Sequence, residues 1–352
     1  MKKFVIILVL AGIVITCLSL SPGGAGSDFQ RKQKLSEYDY FTGRLADLQP
    51  ARGVIPYDIN AALFSNYAEK LRFIKLPEGQ KAKYTKSGPL DLPVGTVIIK
   101  NFYYENDFRR PGNGRRILET RLLVHESNGW NAYPYVWNKE QTEAFYDVAG
   151  DIRKVNYINH DGKKVEIDYI IPNKNQCKGC HIRDNKILPI GPVASQLNRN
   201  YTYSGATQNQ LSYWQQLGIL EGLPELDHVG KMPAIDEMSR SLDDRARAYL
   251  DVNCGTCHHP QGPANSSGLF LHYDQDPTVE LGIMKSPVAA GRGAGKNDYD
   301  IVPGKPHKSI LTFRMQTSDP GIAMPELGRE QVHKEGVKLI REWIRQMDNG
   351  KK

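Results

Sequence analysis

Cysteine is scarce in this sequence, and where it occurs it is clustered. The only five among 352 residues are Cys17, Cys177, Cys180, Cys254 and Cys257. Four of them fall into two Cys-x-x-Cys pairs, which leaves none for a conventional structural disulfide. Long apolar runs are also few. The main one, Phe4 to Thr16, is short for a helix spanning a bilayer, which needs about 20 residues. Internal repeats and low-complexity blocks are missing, so solenoid architectures are excluded. Charge of one sign is never concentrated. The net charge is +7 and the pI about 9.0, but no cluster of Lys and Arg makes the stripe that nucleic acid requires. Nucleic acid is therefore not an expected partner, whereas acidic redox proteins or anionic surfaces suit a mild positive excess. What is present is ordinary: 40% apolar and 24% charged residues, enough for a packed core. The length allows two domains.

The amino terminus has the layout of an export signal. Lys2 and Lys3 precede the short apolar run, and Cys17 follows it. Val14-Ile15-Thr16-Cys17 resembles a bacterial lipobox, with Cys17 as the lipidated residue. "LSLSPGGAGSD" then reads as a flexible Gly/Ser tether. Residues 1–34 are expected to be signal and linker, and the protein to be exported and held on a membrane by a lipid anchor. An ordinary cleavage near Ala25, or an uncleaved anchor, are the alternatives.

The pairs read "NQCKGCHIRD" (175–184) and "NCGTCHHPQG" (253–262), so His follows each at once. A zinc ribbon would place two such knuckles roughly 15–20 residues apart, whereas 73 residues separate Cys180 from Cys254. A thioredoxin-like dithiol needs a βαβ context that neither pair has. Histidine decides. With 9 His in 352 positions, chance would put one after both pairs about once in 1,500 trials; covalent haem attachment requires it. Two thiols bond the two vinyl groups of one haem, two intervening residues let one helical turn present both sulfurs, and the next imidazole becomes an iron ligand. The expected cofactors are two covalently bound haem c groups. Cys177, Cys180 and His181 would hold the first; Cys254, Cys257 and His258 the second. His259 is out of register and reads as a surface or hydrogen-bonding residue. Export agrees, because c-type haem is attached outside the bacterial cytoplasm.

Around the second pair the pattern is helix, haem motif, Gly/Pro-rich loops, Met-Pro, helix. Ser241 is a plausible N-cap for "LDDRARAYL", where Asp243 and Asp244 suit the positive end of the helix. Gly336, Leu339, Ile340, Trp343, Ile344 and Met347 form one apolar stripe on the last helix. This order resembles a class I cytochrome c domain, and the resemblance implies that Met324, in "AMPE", is the sixth ligand of the second iron. Ser309 and Arg314 are candidates to support the haem edge or a propionate, with a surface role as the equal alternative. "AAGRGAGKNDYD" fails as a phosphate loop, since Ala290 and Asn297 stand where Gly and Ser/Thr are needed.

Residues 35–172 read as β structure. "GTVIIKNFYY" is rich in β-branched and aromatic residues, Asn128-Gly129 and Asp161-Gly162 sit between apolar runs, and Val165, Ile167, Tyr169 and Ile171 alternate. The expected fold class is α+β: an antiparallel β domain, sandwich or barrel-like, followed by a mostly helical dihaem cytochrome c region. The expected divisions are 35–172 for the β domain, 173–238 for the first haem segment and 239–352 for the second haem domain. For the first iron's sixth ligand, Met232 in "GKMPAID" is the leading candidate, then His228 and His125, with an open position as the alternative; His160 reads as exposed.

From about residue 38 to 347 the chain resembles a family of bacterial dihaem c-type cytochromes. The phrases that carry the resemblance include "ALFSNYAEKLRFIKLP", "PVGTVIIKNFYY", "NQCKGCH", "LPIGPVASQLN", "NCGTCHHPQGPANSSG" and "MPELG". Members are often encoded beside a parallel β-helix repeat protein, which the resemblance implies as a partner along with other exported redox proteins. The function expected is electron transfer in the periplasm or cell envelope, without catalysis. A dihaem peroxidase with an open first iron, or a binding module with attached haems, are the rival readings.

Overall fold

The computed structural model describes residues 29–184, 186–326 and 328–347. The expected export signal and Cys17 lie outside them. The β-branched and aromatic runs of the front half form strands because such side chains pack well on a pleated, half-buried surface. Six make one antiparallel sheet in sequential order: β1 (Val54–Tyr57), β2 (Glu69–Lys75), β3 (Val97–Glu105), β4 (Arg115–Glu126), β5 (Gly129–Trp137) and β6 (Ala144–Tyr146). The Asn-Gly signal falls at the β4–β5 turn, where Glu126 pairs with Gly129 and Gly129 takes φ 114°. The Asp-Gly signal falls between β7 (Asp151–Ile158) and β8 (Lys164–Ile171), which form a two-stranded sheet of their own.

Residues paired across neighbouring strands share a face. On one face the rows are Ile74–Ile98–Leu123–Ala132, then Arg72–Lys100–Arg121–Pro134, then Lys70–Phe102–Glu119–Val136. The apolar first row packs against Ala194, Leu197, Leu211 and Trp214 of α2 (Ala194–Leu197) and α3 (Gln210–Gln216). The other face, with Phe73, Ile99 and Leu122, is covered by Leu35, Tyr40 and Leu48. A parallel pairing of Ala82–Lys83 with Leu220–Glu221 pins the following segment to the front half.

Farther along, α4 (Leu242–Leu250) and α6 (Lys334–Gln346) meet in a third core of Ala246, Tyr249, Leu250, Leu339, Ile340 and Trp343. The Trp343 indole N–H donates to Asp243 at 2.7 Å. Gly336 permits the close approach, since a Cβ there would lie 2.2 Å from the Tyr249 hydroxyl.

The expected fold class needs correction. Helix makes up 23% of the protein and strand 28%, and among the described residues there are six helices, the longest being the 13-residue α6. The second half is therefore not a mostly helical cytochrome region. Helical periodicity is confined to α4 and α6; between them α5 (Ile310–Met315) is the one α-helix, and the Gly/Pro-rich chain otherwise makes isolated turns and loops. The front half is not a closed barrel, and the β7–β8 hairpin packs against its main sheet through Val155, Tyr157 and Tyr169. Its sheet stays open, with β1 and β6 as edges, because β7 and β8 form their own hairpin. No described helix is long and apolar enough to cross a membrane.

Candidate functional site

The first Cys-x-x-Cys-His lies on α1 (Lys174–His181). Asn173 and Gln176 start this helix with reciprocal side-chain to backbone hydrogen bonds of 2.9 and 2.8 Å, a capping box. Cys177, Cys180 and His181 stand at i, i+3 and i+4, so all three share one side of the helix. The chain then reverses through paired strands Ile182–Arg183 and Lys186–Ile187. That reversal returns Leu188 to His181: the Leu188 N–H donates to the His181 carbonyl at 2.8 Å, and His181 Nδ1 lies 3.0 Å from the Leu188 carbonyl oxygen. A carbonyl only accepts, so Nδ1 carries the proton and Nε2 presents a lone pair.

The second motif is built differently and reaches the same end. Ser241 caps α4 by accepting from the Asp244 N–H at 3.0 Å. The helix continues into a wider π-type turn, 251–255, that carries Cys254. The Cys257 and His258 N–H groups both donate to the Cys254 carbonyl, at 3.0 and 2.9 Å. His258 Nδ1 lies 3.3 Å from the Leu269 carbonyl oxygen and 3.3 Å from Ser267 Oγ, while the Leu271 N–H donates to the His258 carbonyl at 2.9 Å. Among the described residues no hydrogen bond uses Nε2 of either ring. Pinning one ring nitrogen to a carbonyl to leave the other for a metal is the usual way a protein orients an imidazole ligand. Burial pushes the His181 imidazole down to about 4, with Lys100 and Arg121 adding to the effect, and burial likewise lowers His258. Both are neutral, ligand-competent rings at neutral pH.

The two motifs meet. Cys257 Sγ lies 3.5 Å from the Gly179 carbonyl oxygen, and the neighbouring Cys180 and Cys257 thiols act on each other, which holds Cys257 down to about 7 and pushes Cys180 up. Burial raises Cys254 to about 12 and also raises Cys177. All four cysteines are free thiols. No group of three or more His, Cys, Asp or Glu among the described residues is arranged to hold a metal ion by itself.

Comparison with protein-family models, curated proteins and solved structures finds no match to this chain.

Met324 lies on the loop before α6. Its N–H donates to the Arg314 carbonyl at 3.2 Å, and the Arg314 guanidinium donates to the Ile322 carbonyl at 2.9 Å, so α5 ties this loop down. Arg314 and Glu326 both act electrostatically on His258, which puts the Met324 loop in the same neighbourhood as the second motif. Ser309 is wholly buried and accepts from the Val302 N–H at 2.9 Å, a structural role rather than one at the haem edge. Met232 packs in a small core with Ala61 and Ala248, and its sulfur accepts from Gln196 Nε2 at 3.0 Å. Among the described residues no hydrogen bond or shared core joins it to His181. His228 is exposed beside Asp227. His125 stacks on Trp130 at 4.5 Å and contacts the Leu92 carbonyl through Nδ1 at 2.8 Å. His160 sits edge-on to Phe108. His259 is buried rather than at the surface and is the hydrogen-bonding residue of the two alternatives: its Nδ1 accepts from the Gln261 N–H at 3.2 Å, while its Nε2 has no hydrogen-bond partner among the described residues.

Sequence reading missed the groups around the motifs. The carbonyls of Leu188 and Leu269 carry no side-chain signal. Asp251 is held up to about 6 by burial and acts on Cys254. Arg121 acts on Cys177, Cys180 and His181, and Lys100 acts on His181. A cavity of about 1060 Å³ lies between the sheet and the start of α6, lined by Lys70, Arg72, Tyr249 and His333 among others, and no residue of either motif lines it.

Proposed function

We propose that this chain is an exported dihaem c-type cytochrome that relays electrons between redox proteins of the periplasm or cell envelope. One observation carries the reading. Two unrelated local structures, a capped helix with a hairpin and a helix ending in a wide turn, each present a Cys-x-x-Cys pair followed by an imidazole whose Nδ1 is pinned to a carbonyl and whose Nε2 is free. The donor set fits haem c: two thiols one helical turn apart and one neutral imidazole per site.

Cys177 and Cys180, and Cys254 and Cys257, would hold the two haems, with His181 and His258 as iron ligands and Met324 as the second ligand of the second site. When bound, each group supplies a one-electron carrier. The chain's own residues do the rest. Leu188 and Leu269 orient the imidazoles, Arg314 steadies the Met324 loop, and the contact between Cys180 and Cys257 makes the two attachment points neighbours. Anchoring through Cys17 would keep the relay at a membrane surface. Exported redox proteins, and a β-helix repeat protein where one is encoded alongside, are the partners this reading names.

Intact mass and the alkaline pyridine spectrum of the denatured protein test the proposal. Two covalent haems per chain are expected, with Cys177→Ala and Cys254→Ala each weakening or removing one. Stoichiometric zinc without haem would overturn it. For the anchor, Cys17→Ser should release the protein from the membrane fraction; a mature terminus at residue 26 or later would refute lipidation.

A further inference from the structure

The β sheet carries a cationic row in the middle of a covered face. Arg72, Lys100 and Arg121 are direct neighbours on β2, β3 and β4, and Lys70 stands two residues from Arg72 on the same face. Apolar cores lie on either side: Ile74, Ile98 and Leu123 in the next row one way, Val136 with Tyr157 and Tyr169 the other. Arg72 is buried and Lys70, Lys100 and Arg121 are half-buried, and a row of like charges so placed is costly unless each is paired. Arg72 has Asp58 at 3.1 Å. Arg121 is bound by Glu119 through two contacts of 2.7 and 2.6 Å, and Glu119 also accepts from the Tyr169 hydroxyl at 2.8 Å. Lys70 donates to the Leu63 carbonyl at 3.1 Å and has no ion pair among the described residues. Lys100 has neither ion pair nor hydrogen bond among the described residues; its ammonium rests 4.9 Å from the centre of the Phe102 ring, and the Arg121 guanidinium is 4.2 Å from that ring. Burial, and then Arg72 and Arg121, disfavour the charged form of Lys100. The two arginines are thus matched by carboxylates, and Lys100 is the member of the row left without one among the described residues.

The position of the row suggests what completes it. Arg121 acts electrostatically on both cysteines and on the histidine of the first motif, and Lys100 acts on that histidine. At its other end the row is not sealed by packing, because Lys70 and Arg72 line the cavity of about 1060 Å³. The haem assigned to Cys177 and Cys180 brings two carboxylates, its propionates; the cations that act on His258 of the second motif, Arg314 and Lys285, do not stand in a sheet row.

We propose that Lys100, with the remaining donors of Arg121, is the carboxylate seat for the propionates of the haem attached at Cys177 and Cys180. This rests on the dihaem reading. The seat makes two charge-assisted hydrogen bonds available in a partly desolvated site, where such bonds are strongest. A Lys100 ammonium held by a propionate also adds positive charge beside that haem, which favours its reduced form.

The test uses Lys100→Met, which keeps the length of the stem and removes the charge, with Lys100→Arg as the conservative variant. Glu119 and Arg121 stay untouched, so the buried pair that supports the sheet is kept. Haem count, redox titration and resonance Raman spectra are compared with the parent protein. Two covalent haems should remain in both variants. In Lys100→Met one of the two midpoints should fall and the propionate bending band of one haem should shift, and Lys100→Arg should restore both. Two attached haems with both midpoints and both propionate bands unchanged in Lys100→Met would overturn the proposal, as would a shift that Lys100→Arg fails to restore. A parent protein without haem would defeat the dihaem reading itself, a different result from either.

Discussion

Cys257 Sγ lies 3.5 Å from the Gly179 carbonyl oxygen, although Cys257 follows the wide turn of the second motif and Gly179 sits inside the first motif on α1. Attachment at one motif is therefore not independent of attachment at the other, and neither is the charge that each site carries. Two unit charges about 15 Å apart at an effective dielectric of about 20 interact by on the order of 1 kcal/mol, which is tens of millivolts for a one-electron couple.

The first prediction follows from that contact. With Met324 on its iron, the second haem should titrate at the higher potential, because a thioether favours ferrous iron. The first haem then titrates beside a reduced neighbour. Met324→His should lower the second haem's midpoint. If it falls below the first, the first haem now titrates beside a ferric neighbour and its midpoint should rise. An optical titration resolving both steps checks this. A lowered upper step with no change whatever in the other would show that the sites are uncoupled despite the contact.

Part of this architecture is legible in the sequence, and the division follows the range of the interactions. Asn128-Gly129 and Asp161-Gly162 mark their turns because turn geometry is local. Ser241 and the stripe from Gly336 to Ile344 mark helix ends and faces for the same reason. Which strands pair is not local, so the sequence does not say that β7 and β8 form a separate two-stranded sheet packed on the main one. Arg72, Lys100 and Arg121 each look like an ordinary strand charge, since only register makes them one row. The meeting of Cys180 with Cys257, and the return of Leu188 to His181, depend on backbone paths that no residue type announces. Met232 repeats the Met-Pro pairing of Met324, yet its sulfur is taken by Gln196.

A second prediction concerns the crossing of α4 and α6, which sets the frame of the second motif. Replacing Gly by Ala inside a helix normally stabilises it by up to about 1 kcal/mol. At Gly336 the sign should reverse, because the added Cβ would meet the Tyr249 ring and hydroxyl at 2.2–2.6 Å. Overpacking of this kind typically costs about 1–3 kcal/mol. Gly336→Ala should lower Tm, and Tyr249→Leu in the same chain should recover part of the loss. A Gly336→Ala protein as stable as the parent would mean that the helices can part without cost. Tyr249→Leu alone also removes the contact of 3.1 Å between the Tyr249 hydroxyl and His333 Nδ1, so the comparison must be made as a full double-mutant cycle.

The last prediction is a pH dependence. Asp251 begins the turn that carries Cys254. Burial holds its carboxyl up to about 6, the Tyr273 N–H donated to it at 3.0 Å only partly offsets that, and its charge is felt at Cys254. A ferric haem bears one more positive charge than a ferrous one, so oxidation favours the Asp251 carboxylate and reduction favours the neutral acid. Reduction at the second site is thus coupled to proton uptake, and its midpoint should fall as the pH rises through about 6. The slope cannot exceed about 59 mV per pH unit for one proton and one electron. A fraction of that is expected, because Asp251 acts across space and does not ligate the iron. Asp251→Asn keeps a group that accepts from the Tyr273 N–H but cannot titrate, so it should flatten the curve while the haem count stays at two. Redox titrations at half-unit steps from pH 5 to 7.5 make the comparison. A parent midpoint that is flat across this range, or an Asp251→Asn midpoint that keeps the parent's slope, would remove Asp251 from the redox chemistry and leave it a buried structural acid.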